Sequence, residues 1–265
     1  MQPTSPRNEA EFAAIKQVTE SDSRFYVRGD EFRPSVTYIQ SVGFPTPTHL
    51  QKWKADLGWD EAEEVKNKAA DSGSTIHNSI EKLLKGKRIS TIDMNTKEKR
   101  SIKAFLDWYD EERPQVIRFE YKIWADDYAG TVDLLCKLKS DDYQGTWLID
   151  YKSGGVYSTG KSQIMAYKMA DPEATRCAIL QLGNQTKKAY TFSEVKPDDE
   201  QGYWDLFQQC NAMYKLLRPK DKPAAEFPLY FSLNLKKYAR TNIKPEPKAL
   251  PQNHPRKNRK VSKKR

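Results

Sequence analysis

Cysteine is scarce in these 265 residues, and the three that occur, Cys136, Cys177 and Cys210, are widely separated and odd in number. That pattern argues against a disulfide framework or a paired-cysteine metal site and fits a reducing, cytoplasmic setting. Long apolar runs are missing too: no stretch approaches the roughly 20 residues a membrane-spanning helix needs. The opening MQPTSPRNEAEF has neither the apolar region of a secretory signal nor the acid-poor make-up of a transit peptide. Histidine is as rare as cysteine, with His49, His77 and His254. Acids nearly vanish from residues 236 to 265, where 12 Lys/Arg face Glu246 alone. The remainder, with 33 basic against 35 acidic residues, carries -2 of the total +9. Polyanion affinity is therefore concentrated in a proline-bearing basic tail whose composition predicts disorder and salt-sensitive phosphate contacts; a solubilising terminus or a nuclear-type address is the bland alternative.

What is present suffices for one core. A hydrophobic fraction of 37% with 14 Tyr, 10 Phe and 6 Trp offsets a mean hydropathy of -0.86, and the length suits one domain with appendages. We expect an N-terminal extension over 1–33, with at most a short helix near Glu9 to Val18, then a single domain over 34–235. Its first part, 34–113, reads as mainly helical. Pro34 and Ser35 start one helix, Pro45 and Pro47 break it, and a second runs through Leu50 and Trp53. The pattern is helical again from Glu61 to Lys85, with Ser72 or Ser74 available as an N-cap before TIHNSIEKLL and Gly86 as terminator. Ile102, Phe105, Leu106 and Tyr109 mark a further helix that Pro114 closes. Beyond Pro114 the period changes. VIRFEYKIWADD, YAGTVDLLCKLK and GTWLIDYKS read as three antiparallel strands. A helix through QIMAY, a hairpin over ATRCAILQLG and KKAYTFSEV, and a closing helix from Asp198 to Leu217 complete the order.

Side chains two apart on a strand share a face, so Asp150 and Lys152 of IDYK project together. If the intervening loop turns near Asp142, antiparallel register sets Asp133 of GTVD beside Asp150, about 5 Å away across the strands. Two hard carboxylates and an ammonium then converge. Such a group can hold Mg²⁺ or Mn²⁺ and stabilise a developing phosphoryl oxyanion. The bland alternative is a solvated strand face with a salt bridge, since Asp-x-Lys is a common tripeptide.

GTVD, the Asp of LIDYKSG seventeen residues on, and a helix bearing QIMAY together resemble the RecB-type branch of the PD-(D/E)XK nuclease superfamily, in particular the mitochondrial genome maintenance exonucleases and their phage-borne relatives. PSVT near Ser35 and the WK of LQKWK add to the likeness, which covers roughly residues 34 to 217. It implies an α/β (α+β) restriction-endonuclease-like core, a central mixed sheet flanked by helices. It assigns catalytic roles to Asp133, Asp150 and Lys152, with Glu120 as an auxiliary acid. It gives the metal, Mg²⁺ or Mn²⁺, to His77, Asp133, Asp150 and the backbone carbonyl of Tyr151. Gln163 and Tyr167 lie at i and i+4 on one helix face, suited to a phosphate or to bracing Lys152. Ser153, with Gly154, and Lys161 are further candidate DNA contacts, and Glu81, one turn past His77, is a candidate to orient the imidazole. No cysteine clustering supports the iron-sulfur site found in some members of the branch.

The activity implied is a metal-dependent DNA nuclease, most simply an exonuclease selective for single strands or free ends. Trp53, Trp59, Tyr26 and Phe44 are available to stack on unpaired bases. An endonuclease acting on branched or duplex DNA, and a non-catalytic nucleic-acid-binding module, are the competing expectations.

Overall fold

Residues 14–20, 23–139 and 145–224 are described in a computed structural model. All belong to one compact unit that ends at Ala224. The basic tail and the turn expected near Asp142 lie outside the described residues.

The chain begins with a small sheet that corrects the expectation of a featureless extension. Strands β1 (Lys16–Glu20), β2 (Ser23–Arg28) and β3 (Glu31–Pro34) pair antiparallel in sequence order. Lys16 and Val18 therefore sit in a strand, and the helix suggested around them does not form; Glu9 lies outside the described residues. The reason is local. Phe25, Tyr26 and Val27 favour extended backbone, and Arg28↔Glu31 pairing leaves Gly29 and Asp30 as a two-residue turn with Gly29 at φ 59. Phe25 packs edge-on against Tyr38, with ring centroids 5.6 Å apart. Tyr26 is buried with Ile15, Trp124 and Ala129.

Helices α1 (Val36–Gly43), α2 (Thr48–Leu57), α3 (Trp59–Leu84) and α4 (Thr96–Glu112) follow. Ser35 caps α1 by accepting from the Tyr38 N–H, as its place after Pro34 predicts. Ser72 and Ser74 do not start a helix, because α3 runs unbroken for 26 residues. The Ser74 hydroxyl instead donates back to the Ala70 carbonyl at 3.0 Å, the alternative open to a mid-helix serine. Helix α4 starts at a full capping box between Asn95 and Glu98.

Strands β4 (Gln115–Trp124), β5 (Ala129–Lys137), β6 (Trp147–Lys152), β7 (Arg176–Leu182) and β8 (Tyr190–Glu194) form the central sheet in that order. All neighbours are antiparallel except β6 and β7, which are joined through helix α5 (Ser158–Ala170) and run parallel. Helix α6 (Pro197–Leu217) closes the unit. The result is a mixed α/β protein whose five-stranded mixed sheet is flanked by helices. One face buries Val132, Leu135 and Leu148 under Val36, Ile39, Ile164 and Phe207 of α1, α5 and α6. The other buries Leu134, Trp147 and Ile149 under Ile76 and Ile80 of α3 and Phe105 and Trp108 of α4. No helix among the described residues is long and apolar enough to cross a membrane.

Candidate metal centre

The β5–β6 ladder runs from Cys136↔Trp147 to Leu134↔Ile149, and one more step in that register sets Asp133 opposite Asp150. The ladder stops there, and Asp133 Oδ2 accepts the Tyr151 N–H at 2.6 Å. A carboxylate thus satisfies an amide that a backbone carbonyl would otherwise take. On the other side, Phe119↔Leu134 and Tyr121↔Val132 place Glu120 opposite Asp133.

At this rung both strands change parity. Val132 and Tyr121 face the α1, α5 and α6 layer, whereas Leu134 and Phe119 face the α3 and α4 layer. Regular alternation would send residues two apart to one face. The break is visible at Glu120, whose φ of 47 is left-handed for a residue with a Cβ. That conformation costs about 1–2 kcal/mol.

Helix α3 brings His77 to the same rung, since Ile76 and Ile80 anchor that stretch on the sheet. His77 Nδ1 lies 3.2 Å from Asp133 Oδ1 and 3.9 Å from Glu120 Oε1. One donor atom each from His77, Glu120 and Asp133 lies within 4.8 Å of the others. Asp150 stands beside this trio with its carboxylate turned to another partner. Lys152 Nζ is 2.7 Å from Asp150 Oδ2 and donates to Gln163 Oε1 at 3.2 Å. Gln163 Nε2 in turn donates to Asp150 Oδ1 at 3.3 Å and to the Tyr167 hydroxyl at 2.9 Å. The four residues expected from IDYK and QIMAY therefore form one network. Their place in the sequence is explained by packing: Ile164, Met165 and Ala166 bury α5 in the core, and Gln163 and Tyr167, one turn apart, flank that surface.

The charges are strongly coupled. The Asp133 carboxylate drives the His77 imidazole up to about 9 against the opposing effect of burial, with Asp150 and Glu120 adding to it. Burial pushes the Glu120 carboxyl up to about 7, and the Asp133 charge adds to the shift. Burial also acts upward on Asp133, yet His77, Lys152 and the Tyr151 amide outweigh it and hold that acid below its usual range. Asp150 is raised, chiefly by burial, despite Lys152. Lys152 is raised because Asp150 overcomes its burial. Burying several acids together is unfavourable unless cations compensate. Here His77 and Lys152 supply that compensation.

Other expected residues fall elsewhere. Glu81 pairs with Lys85 at 2.5 Å rather than orienting His77, because the i,i+4 partner on its own helix is within reach. Tyr151, whose carbonyl the resemblance offers as a ligand, donates its amide to Asp133, and its buried ring lies 5.8 Å from the His77 ring and 5.5 Å from that of Phe105 on α4. Lys161 lies over the Tyr203 ring, 5.3 Å from its centroid, outside the residues lining the cleft. Ser153 is half-buried at the end of β6, also outside that lining. Of the aromatics expected to stack on bases, Tyr26 is buried and its hydroxyl is bonded to Thr131 at 2.9 Å. Phe44 packs against the core and Trp53 is half-buried. Trp59 is 69% exposed with Lys54 over its ring.

The site opens into a cleft of about 310 Å³ whose lining includes His77, Glu120, Asp133, Asp150, Lys152, Gln163 and Tyr167. Gln17, Arg24, Tyr26 and Thr37, together with Lys122 and Thr131, line the rest. None of these as a polar or charged contact is expected from the motifs. For Arg24 and Tyr26 the signal that would have found them is the two-residue Gly29–Asp30 turn between FYVR and EFRP, which marks a hairpin. The sequence matches no protein-family model, and no curated protein is significantly similar to it.

Proposed function

We propose that this chain is a divalent-metal-dependent nuclease of the PD-(D/E)XK type, RecB-like branch, that hydrolyses phosphodiester bonds in DNA as a single-strand-selective exonuclease. The reading is carried by one observation: His77, Glu120, Asp133, Asp150 and Lys152, drawn from a helix and three adjacent strands, line a single cleft. The donor set suits a divalent ion, because hard carboxylate oxygens and one imidazole nitrogen converge within 4.8 Å. His77, Glu120 and Asp133 would hold Mg²⁺ or Mn²⁺, with Asp150 alongside. Such an ion supplies polarisation of the phosphate and a more acidic water.

The protein's own groups do the rest. Lys152, kept in place by Asp150 and Gln163, presents an ammonium where negative charge develops on a phosphoryl oxygen. Tyr167 fixes Gln163, so the α5 helix sets the aim of that ammonium. Glu120, with its carboxyl pushed up to about 7 by burial in the metal-free chain, would give up its proton on taking the ion. The expectation of an unpaired strand comes from the resemblance; Arg24 and Tyr26 of the small sheet β1–β3 line the same cleft as Lys152.

The test is cleavage of end-labelled and circular single-stranded DNA, and of duplex DNA, by the full chain with Mg²⁺ or Mn²⁺. The expected outcome is shortening of linear single strands. Asp150→Ala and Lys152→Ala should each reduce it by at least about a hundredfold while the chain stays folded. Cutting of circles would replace the exonuclease by an endonuclease, and no cleavage with either metal would overturn the reading.

A further inference from the structure

Two cations, Arg24 and Lys122, line the cleft beside the candidate metal centre without a salt bridge to the donor trio. Arg24, on β2, is exposed and has no carboxylate partner among the described residues. Lys122, on β4, is half-buried, and its Nζ donates to Thr131 Oγ1 at 2.7 Å, a neutral acceptor. Arg24 lies close enough to Lys122 to repel its ammonium, while Glu120, two residues back along β4, attracts it. Neither cation forms a salt bridge among the described residues, and an anion held between the two would relieve their repulsion. The Tyr26 ring, 5.5 Å from Lys122 Nζ, and the shared Thr131 hydroxyl fix the geometry between the two sheets.

Position gives the anion its identity. Lys122 pairs with Thr131, two residues along β4 and β5 from the Glu120 and Asp133 rung, a rise of roughly 6–7 Å. That is comparable to the separation of successive phosphates in an extended single strand. Resting on the nuclease reading, we infer that Arg24 and Lys122 bind the phosphate next to the one at the metal centre. The strand then lies between the small N-terminal sheet and the central sheet. The bound group is a phosphate of the nucleic acid, either an internal diester or a terminal monoester.

The experiment is fluorescence anisotropy on the full chain without added metal. The probes are ten-nucleotide oligothymidylates with a 5′-phosphate, a 3′-phosphate or hydroxyls at both ends. For a single strand, removing one cation that pairs with a phosphate should weaken binding roughly eightfold at 50 mM salt and flatten the logarithmic salt dependence by about 0.7. Arg24→Gln and Lys122→Gln should each show this, and Lys122→Arg should restore affinity. Gln retains a donor toward Thr131, so the fold is not the quantity being read. Equal weakening for all three probes identifies a diester site, and weakening confined to one phosphorylated probe identifies a terminal one; either upholds the inference. Wild-type affinity and salt slope in both Gln variants would overturn it, as would an absence of binding by the wild type. The nuclease reading is scored separately by cleavage. Pair-dependent binding in a chain that cuts nothing upholds the phosphate site and removes the nuclease. Cleavage with unaltered binding in the variants does the reverse.

Discussion

Gly130 and the Tyr167 ring are packed so closely that a Cβ on Gly130 would lie 2.5 Å from Tyr167 Cε1. The glycine of GTVD is thus the seat for the tyrosine of QIMAY. Gly130→Ala must displace the ring, and with it the hydroxyl that receives Gln163. Overpacking of this kind costs about 1–3 kcal/mol. We expect that destabilisation in urea unfolding, with a fall in activity beyond it, and relief when Tyr167→Leu is added. An unchanged midpoint in the single variant would refute the close packing.

Glu120 is held in left-handed backbone at φ 47, so two replacements of it should part company. Glu120→Gly removes both the strain and a buried acid, and the metal-free chain should gain about 1 kcal/mol. Glu120→Gln keeps the strained backbone and should gain less. Both should weaken divalent-metal binding. Calorimetric metal titration beside urea unfolding checks this, and equal stability of the two variants would contradict the strain.

Protons and metal should compete. His77 rises from 6.5 to about 9 and Glu120 from 4.5 to about 7 in the folded chain. Both therefore bind more protons folded than unfolded, and the sign follows: metal-free stability falls as pH climbs from about 4.5 to 9. The His77 contribution is complete below 6.5 and gone above about 9. Metal ligation needs the neutral imidazole, so loading at pH 7 should expel protons. Calorimetry in buffers of different ionisation enthalpy reads that release directly. A heat independent of buffer would rule it out.

Mn²⁺ should bind more tightly than Mg²⁺, because Mg²⁺ favours an all-oxygen shell and His77 contributes nitrogen. His77→Asp should narrow the gap. Competition titrations with the two ions measure it, and a preference for Mg²⁺ in the wild type would count against His77 as a ligand.

Much of the central arrangement was legible because it rests on period. Two-residue spacing puts Asp150 and Lys152 on one face, and an antiparallel step brings Asp133 opposite. The place of Glu120 in the donor trio was not legible, since a parity break at one rung leaves no mark in residue type. The small sheet was obscured for a different reason. Its strands are four to six residues long and mostly polar on the exposed side, so neither a helical nor a clean alternating pattern stands out. Arg24 was hidden with it. Ser72 and Ser74 misled in the opposite sense, as residues that cap helices also sit inside a continuous rod, where Ser74 donates back to the Ala70 carbonyl.

That rod is 26 residues long, about 39 Å at 1.5 Å per residue. His77 rides on its inner half, clamped by Ile76 and Ile80, while Trp59 lies at the far, solvated end. One continuous helix joins the two. The imidazole beside Asp133 and the exposed indole of Trp59 thus belong to one element, and a partner that displaced the outer end would reach the donor trio through helix backbone rather than through a loop.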